Sequence, residues 1–476
     1  MSGYRDLGVE EYRAADGVAL GRLVAAGEVS PVQLVELAIG LAREAEPRLN
    51  AYVGFREEAA LAEAAALEAE ARGGRLRSRL HGVPIASKDN MYLAGEPALK
   101  GSRTTNDALA TISSPFVQRL VDAGAVVIGR TTTPEFGWKG TGISPLTGVT
   151  GNPWDPSRNS GGSSAGSGAT VGSGAVPIAT GSDAGGSIRI PAAFCGAVGY
   201  KPTLSAIPLW PGTVNESLSH VGPITRSVAD AAAVLALTRG PDHRDPQSAY
   251  ALPSPLPAPA RPRIGIVRTP WGIAPSDEVA ERSAPAFDAL VASGIAEFEE
   301  VDLDVPVPRS VFEALWVTGR GLGFADLIAK RGEIMDPGLA RLLPLAERYS
   351  LRSFLSSLQD RRAFNTTMYG WLERFDLLVM PTMPLTAFEA DREVPVGGEA
   401  DAQLPWITWT PYTYPFNITG QPAITVPFGL AEGVLPVGLQ LVAGWARDDL
   451  LLAVAAEVER VLAPLIALPV APRPAA

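Results

Sequence analysis

The sequence predicts an α/β fold, with short buried strands lying under crossover helices, and three observations predict it. From His81 onward, apolar stretches of strand length alternate with helix-patterned segments, each bounded by turn residues. Apolar residues make up 46% of the 476 and charged residues 19%, enough for a large core and incompatible with a disordered chain. The alternation also continues beyond the Pro-rich stretch LPSPLPAPARP from Leu252, which therefore reads as an internal crossing within one large domain over residues 1–476.

Taken in order, residues 1–80 form an N-terminal helical layer. Ser30 and Pro31 supply an N-cap and a first-turn proline. Leu34, Ala38, Leu41 and Ala45 recur at helical spacing, and Pro47 marks the expected end. Residues 56–72 are dense in the helix formers Ala, Glu and Leu, and Gly73-Gly74 stops them. Residues 81–240 bring VPIAS as a strand, SSPFVQRLVDAG as a helix, AVVIG as a strand and TRSVADAAAVLALTRG as a helix. RIGIV and DLLVM are later strands; SDEVAERSAPAFDALVASG and DDLLLAVAAEVERVLA are later helices. No repeat with a period of about 20–50 residues is visible.

Forty basic against fifty-one acidic side chains leave a net charge of −11. That balance argues against a nucleic-acid backbone or an anionic membrane as the main partner. No apolar run reaches the roughly 18–20 residues of a membrane span, and Pro464, Pro469 and Pro472 interrupt the apolar tail from Val461. The opening MSGYRDLGVEEYR lacks the charged-then-apolar layout of a secretory signal. One cysteine, Cys195, permits neither an intrachain disulfide nor a cysteine-based zinc cluster. His81, His220 and His243 are scattered without metal-ligand spacing. The expectation is a cytoplasmic protein with no metal or cofactor, and with neither nucleic acid nor membrane as partner.

Of the forty basic residues only five are lysines: Lys88, Lys100, Lys139, Lys201 and Lys330. A GC-rich genome produces such a ratio. It still singles out the lysines, because a chain that otherwise uses Arg keeps Lys where a neutral amine is needed.

Residues 151–191, GNPWDPSRNSGGSSAGSGATVGSGAVPIATGSDAGGSIRIP, stand apart. Composition alone would suit a flexible linker, but the apolar pieces AVPIAT and SIRIP and the charges Asp183 and Arg189 argue against one. Dense glycine lets backbone N–H groups approach a ligand. A phosphate loop is a poor match: GGSSAGSG lacks the GxxxxGK[ST] order and GSGATVG is not a good GxGxxG. An oxyanion beside a nucleophile fits better, since Asp183-Ala184-Gly185-Gly186-Ser187 is a run of small residues ending in a hydroxyl. No GxSxG elbow surrounds Ser187, which weighs against an α/β-hydrolase. The serine needs a base. Lys88, following apolar VPIAS, can serve if burial lowers its pKa; the competing reading is a structural Lys88–Asp89 pair.

HGVPIASKDN at 81–90, GGSS at 161–164 and GSDAGGSIRIPAAFCG at 181–196 resemble the amidase signature family of serine hydrolases. GSRTTNDA, PEFG, GYKPT, HVGPITRSVADAA, FNITGQPAITVPFG and LPVGLQLVAG agree in the right order, so the resemblance runs from about Val18 to Leu462. It implies the amidase signature fold: a large mixed, mostly parallel central sheet covered on both faces by helices. It also implies a catalytic core over 81–240, a more variable substrate-side segment over 252–400, and a return to the core over 401–462. In function it implies hydrolysis of an amide carbon–nitrogen bond through an acyl-enzyme. Ser187 would be the nucleophile, Ser163, after a cis peptide bond from Gly162, the proton relay, and Lys88 the base. The N–H groups of Ala184, Gly185, Gly186 and Ser187 would form the oxyanion hole. Asp183 and Arg189 would support the loop, and Cys195 would be a small core residue. Ser160 and Ala165 depart from residues frequent in the family without removing a reacting group.

The resemblance leaves the substrate open. Gly137 and Trp138 match substrate-channel positions of the family's fatty-amide branch. Trp406, Trp409, Tyr412 and Tyr414 cluster before the C-terminal motif, where core packing is the alternative. Together they favour an uncharged apolar or aryl group over a carboxylated substrate. Aryl amides, aryl esters and carbamates (urethanes) all fit such a small-molecule pocket, in a monomer or homodimer. A glutaminase component of a tRNA-dependent amidotransferase is disfavoured, since SIRIP and NESLSHVGP stand where that component resembles SIRQP and ASSLDQIGP.

Overall fold

The computed structural model describes residues 4–251, 253–254, 256–428 and 435–465. Met1 to Gly3, Leu252 and Pro255 of the Pro-rich stretch, Gly429 at the end of FNITGQPAITVPFG, and Pro469 and Pro472 of the tail lie outside them. In chain order the strands are β1 (Tyr52–Phe55), β2 (Pro84–Lys88), β3 (Val126–Thr131), β4 (Ile143–Ser144), β5 (Gly148–Val149), β6 (Ile178–Asp183), β7 (Val198–Lys201), β8 (His220–Thr225), β9 (Arg263–Ile266), β10 (Glu297–Glu300), β11 (Leu377–Pro381), β12 (Ala423–Phe428) and β13 (Val437–Ala443). β4 and β5 form a separate ribbon. The other eleven make one sheet in the order β1-β3-β2-β6-β8-β7-β12-β13-β11-β9-β10.

The sheet is mixed, as expected, but its balance differs from "mostly parallel". β2 is parallel to β3 and β6, and β9 to β10 and β11. The remaining six pairings are antiparallel: five run through the centre from β6 to β11, and the sixth joins the edge strand β1 to β3. Parallel neighbours need a crossover of a dozen or so residues, usually a helix. No α-helix separates β7 from β8, and only residues 429–436 join β12 to β13.

VPIAS, AVVIG, RIGIV and DLLVM become β2, β3, β9 and β11, and the helix-patterned segments between them become helices. The helix Pro31–Leu49 runs past Pro47; Asn50, at φ 45, ends it, its N–H donating to Glu46 O at 2.8 Å. β1 falls within the layer expected to be helical, because four residues are too few to show a period. Alternation along the strands divides the apolar residues between two cores. Leu377 and Val379 of β11 join one core and Leu378 and Met380 the other. The first core packs under the N-terminal layer and the helices Val228–Thr238 and Asp448–Leu462. The second is rich in aromatic side chains and includes the helix Arg309–Gly323. At one sheet edge β10 reads EFEE, and its charges guard the unpaired backbone.

Candidate active site

Lys88 closes β2, a strand buried along its whole length. Neighbouring side chains on extended chain point to opposite faces, and Lys88 and Asp89 part accordingly. The Lys88 amine enters a nest of hydroxyls, with Nζ 2.9 Å from Ser163 Oγ, 3.0 Å from Ser164 Oγ and 2.9 Å from Ser182 Oγ. Asp89 turns instead toward Arg130, 3.7 Å from its Nε, and accepts from Leu99 N. The alternative of a structural Lys88–Asp89 pair is therefore wrong. Burial strips water from the ammonium and brings the Lys88 pKa well below that of a free lysine; Asp183 opposes the shift and Arg320 reinforces it.

Ser163 and Ser164 precede the helix Ala165–Gly172, and the Gly162–Ser163 peptide is cis. Ser187 stands on the turn between β6 and the helix Arg189–Cys195. Asp183 organises that turn: Oδ1 accepts from Gly186 N at 2.7 Å and Oδ2 from Ile188 N at 3.1 Å. Arg189 forks onto the same carboxylate, Nε to Oδ2 and Nη2 to Oδ1, each at 3.0 Å. Its Nη1 reaches Thr413 O and Gln440 Oε1, and Nη2 reaches Asn417 Oδ1. Burial alone would raise the Asp183 pKa, but the guanidinium overrides it and holds the carboxyl well below its ordinary range. Gly186 sits at φ 126, a conformation side chains rarely adopt, and a Cβ there would run into Thr413. Of the four N–H donors expected from Ala184 to Ser187, that of Gly186 does not fit an oxyanion hole, because it is committed to Asp183 Oδ1.

A cavity opens on this floor, lined by Gly137, Ser163, Ala184 and Ser187. Lys88 lies behind Ser163. Phe116, Phe136, Leu209, Trp210, Val214 and Phe324 make the walls largely apolar. A Cβ on Gly137 would come within 3.0 Å of Ser163 Oγ, so glycine is needed there for close approach. Trp138, expected beside it, does not line this cavity. Phe136 and Gly137 both take positive φ (50 and 65), and this bend sends Trp138 into a neighbouring cavity with Lys139, Asp336 and Trp406. Trp409, Tyr412 and Tyr414 are buried in the aromatic core. The aromatic residues named from the sequence are thus packing residues, and the walls come from others.

Sequence reasoning gave no role to Thr180 and Ser182, whose same-face spacing on β6 was the available signal. Thr180 Oγ1 accepts from the Lys88 backbone N–H, and Ser182 Oγ accepts from Asn90 Nδ2, both at 2.9 Å. His220 lines the cavity as the β8 partner of Asp183. Its Nδ1 lies 2.9 Å from Leu218 O, and burial moves its pKa well down, so it is a neutral ring. Cys195 is buried with its Sγ 3.3 Å from Ser160 O, and burial pushes the thiol pKa up. Among the described residues no group of His, Cys, Asp or Glu could hold a metal ion, and no helix is long and apolar enough to cross a membrane.

The family model described as amidase matches residues 33–452. An acylamidase of Rhodococcus erythropolis is 34% identical over 457 residues, covering 92% of this chain and 93% of that protein. A glutamyl-tRNA(Gln) amidotransferase subunit of a Picosynechococcus species is 32% identical over 474 residues, covering 92% and 96%. The crystal structure of a bacterial aryl acylamidase of the amidase signature family superposes with a TM-score of 0.83 at 28% identity, covering 96% of this chain and 99% of that one.

Proposed function

This chain belongs to the amidase family of hydrolases acting on amide carbon–nitrogen bonds, and from that premise we propose that Ser187, Ser163 and Lys88 carry out the reaction through an acyl-enzyme. The observation that supports this most is the buried Lys88 amine, 2.9 Å from Ser163 Oγ. A neutral amine has two N–H donors and one lone pair, and three hydroxyls surround this one. Ser164 Oγ–H is directed to Ser182 O at 3.3 Å, so Ser164 accepts from Lys88. Ser182 Oγ accepts from Asn90 as well. The lone pair is left for the Ser163 hydroxyl. Ser163 then gives its proton to Lys88 and takes that of Ser187, whose oxygen attacks the amide carbon. The N–H groups of Ala184, Gly185 and Ser187 receive the developing oxyanion. On collapse the proton returns through Ser163 to the departing amine, and water releases the acid by the same relay in reverse.

The apolar walls favour an apolar or aryl segment beside the scissile bond. Carbamate and aryl ester hydrolysis is the second reading, because both bonds present an acyl carbon to the same serine. The likeness to the amidotransferase component makes a partner-dependent glutaminase the remaining contrast. Ser187→Ala should abolish hydrolysis of a 4-nitroanilide, and a fluorophosphonate probe should label the wild type but not the variant. Unchanged labelling of Ser187→Ala would overturn the assignment. A requirement for added partner chains before any anilide is cleaved would favour the glutaminase.

A further inference from the structure

Arg320 projects from the helix Arg309–Gly323 into the lining of the catalytic cavity, beside Phe136 and Phe324, yet is only 6% exposed. Its Nη1 donates to Phe136 O at 2.6 Å, and its Nε has no partner. The guanidinium carbon lies 4.7 Å from the Trp316 ring centroid and 5.9 Å from that of Phe324, so aromatic faces surround the charge. No salt bridge involves Arg320 among the described residues. The buried Arg189 is bound by Asp183, Asn417 and Gln440; the half-buried Arg226, whose Nε also lacks a partner, gives its other nitrogens to the carbonyls of Tyr12, Ala15 and Gly174. Burial lowers the Arg320 pKa to about 10 with no acidic group to offset it, which still leaves a cation at neutral pH.

Lys100 lines the same cavity, and its polar contact is Tyr92 OH at 3.3 Å, with the Tyr92 ring centroid at 5.0 Å. The carboxylate in the lining, Asp183, is already bound by Arg189. A protein of net charge −11 therefore holds, around its candidate catalytic serines, two cations without acidic partners among the described residues. Burying a guanidinium without a counterion is costly, and a planar carboxylate is the group its fork matches best.

We infer that Arg320, assisted by Lys100, receives a carboxylate on the substrate, so that the amides this enzyme cleaves carry an anionic group against the Phe136–Phe324 wall. This rests on the catalytic reading above and sharpens its substrate class. It also reverses the uncharged substrate expected from the sequence, whose aromatic support proved to be core.

The test compares wild type, Arg320→Met and Arg320→Lys on two matched pairs. Adipic mono-4-nitroanilide against hexanoyl 4-nitroanilide places the charge on the acyl side; N-hexanoyl-4-aminobenzoate against hexanoyl anilide places it on the amine side. The carboxylated member of at least one pair should lead in kcat/KM by about tenfold or more. Arg320→Met should cut that ratio about tenfold to a hundredfold, as expected for loss of a charge-assisted hydrogen bond, and Arg320→Lys should restore part of it. Equal kcat/KM within both pairs in the wild type overturns the inference. So does an equal loss on both members in Arg320→Met, which would mean that Arg320 merely braces the Phe136 turn. Calorimetry on Ser187→Ala with 3-phenylpropionate and 3-phenylpropionamide needs no turnover: the acid should bind more tightly, and adding Arg320→Met should erase the difference. Equal affinities in Ser187→Ala overturn the inference even if no anilide is cleaved, whereas absence of Ser187-dependent cleavage with the affinity difference present overturns only the catalytic reading.

Discussion

At position 88 the choice between lysine and arginine is a choice between a base and a permanent cation. The amine sits fully buried among three serine hydroxyls, and burial draws its pKa well below 10.5. In the proposed relay the protonated amine cannot take the Ser163 proton, so the acid limb of the pH–rate profile should be the inactive one. Activity should rise with pH through the lowered Lys88 pKa, an inflection on the acid side of a free lysine. Lys88→Ala should lower amide turnover by several powers of ten and ester turnover by less, because an alkoxide or phenoxide leaves without the proton an amine needs. Lys88→Arg should be as inactive on amides as Lys88→Ala, since it cannot deprotonate. Amide turnover near the wild-type value in Lys88→Arg would end the role of Lys88 as base. The position of this residue was legible in the sequence, because a charged side chain directly after VPIAS has to end its strand inside the molecule. That Asp89 would turn to Arg130 was not legible; it depends on β3 lying alongside.

The turn from β6 into the helix Arg189–Cys195 works as a unit. One buried carboxylate, Asp183, holds two N–H groups and a guanidinium, and this fixes where the serine and the free N–H groups point. Gly186→Ala would force a Cβ into Thr413 at a backbone conformation unsuited to it. Amide turnover should fall about a hundredfold or more, the loss seen when an oxyanion donor is removed; a KM that rises while kcat stays constant would contradict a disturbed oxyanion site. The run DAGGS announced this turn, because its glycines are needed for local backbone geometry. Which of its N–H groups stay free depended on the reach of Asp183, and composition says nothing about that. The strands and helices from His81 to Thr238 that the pattern predicts are present for a similar reason, since their periods are local. β1 escaped because it is four residues long and gains its order from β3.

Across the whole molecule the two cores meet the site from different sides. Phe312 stacks on Trp316, with ring centroids 5.3 Å apart, and packs against Trp406 and Tyr414. A Cβ on Gly185 would fall 2.9 Å from the Phe312 ring, so the aromatic core lies directly under the turn from Ala184 to Ser187. Phe312→Ala should cost about 3–5 kcal/mol of stability by cavity formation, read as a lower urea midpoint, and should lower amide turnover as Gly185 loses its support. Unchanged turnover in the folded variant would separate that core from the site. A lysine–serine–serine relay needs no metal, so dialysis against EDTA should leave anilide hydrolysis intact; activity lost to EDTA and restored by zinc would overturn that scheme.

The sequence by itself determined the family and the hydrolytic reaction, and it singled out the run of residues to which the chemistry is assigned. These lie in contiguous strings whose backbone geometry is set by near neighbours. Only the tertiary structure decided the pocket and the arrangement of the sheet. Phe116, Phe136, Trp210, Arg320 and Phe324 come from distant segments, and which aromatic rings face the cavity and which the core follows from how helices pack on the sheet. The antiparallel centre arose likewise from which strands became neighbours. A charge such as Arg320 looks like any surface arginine until packing buries it with its Nε unpartnered and, among the described residues, no salt bridge.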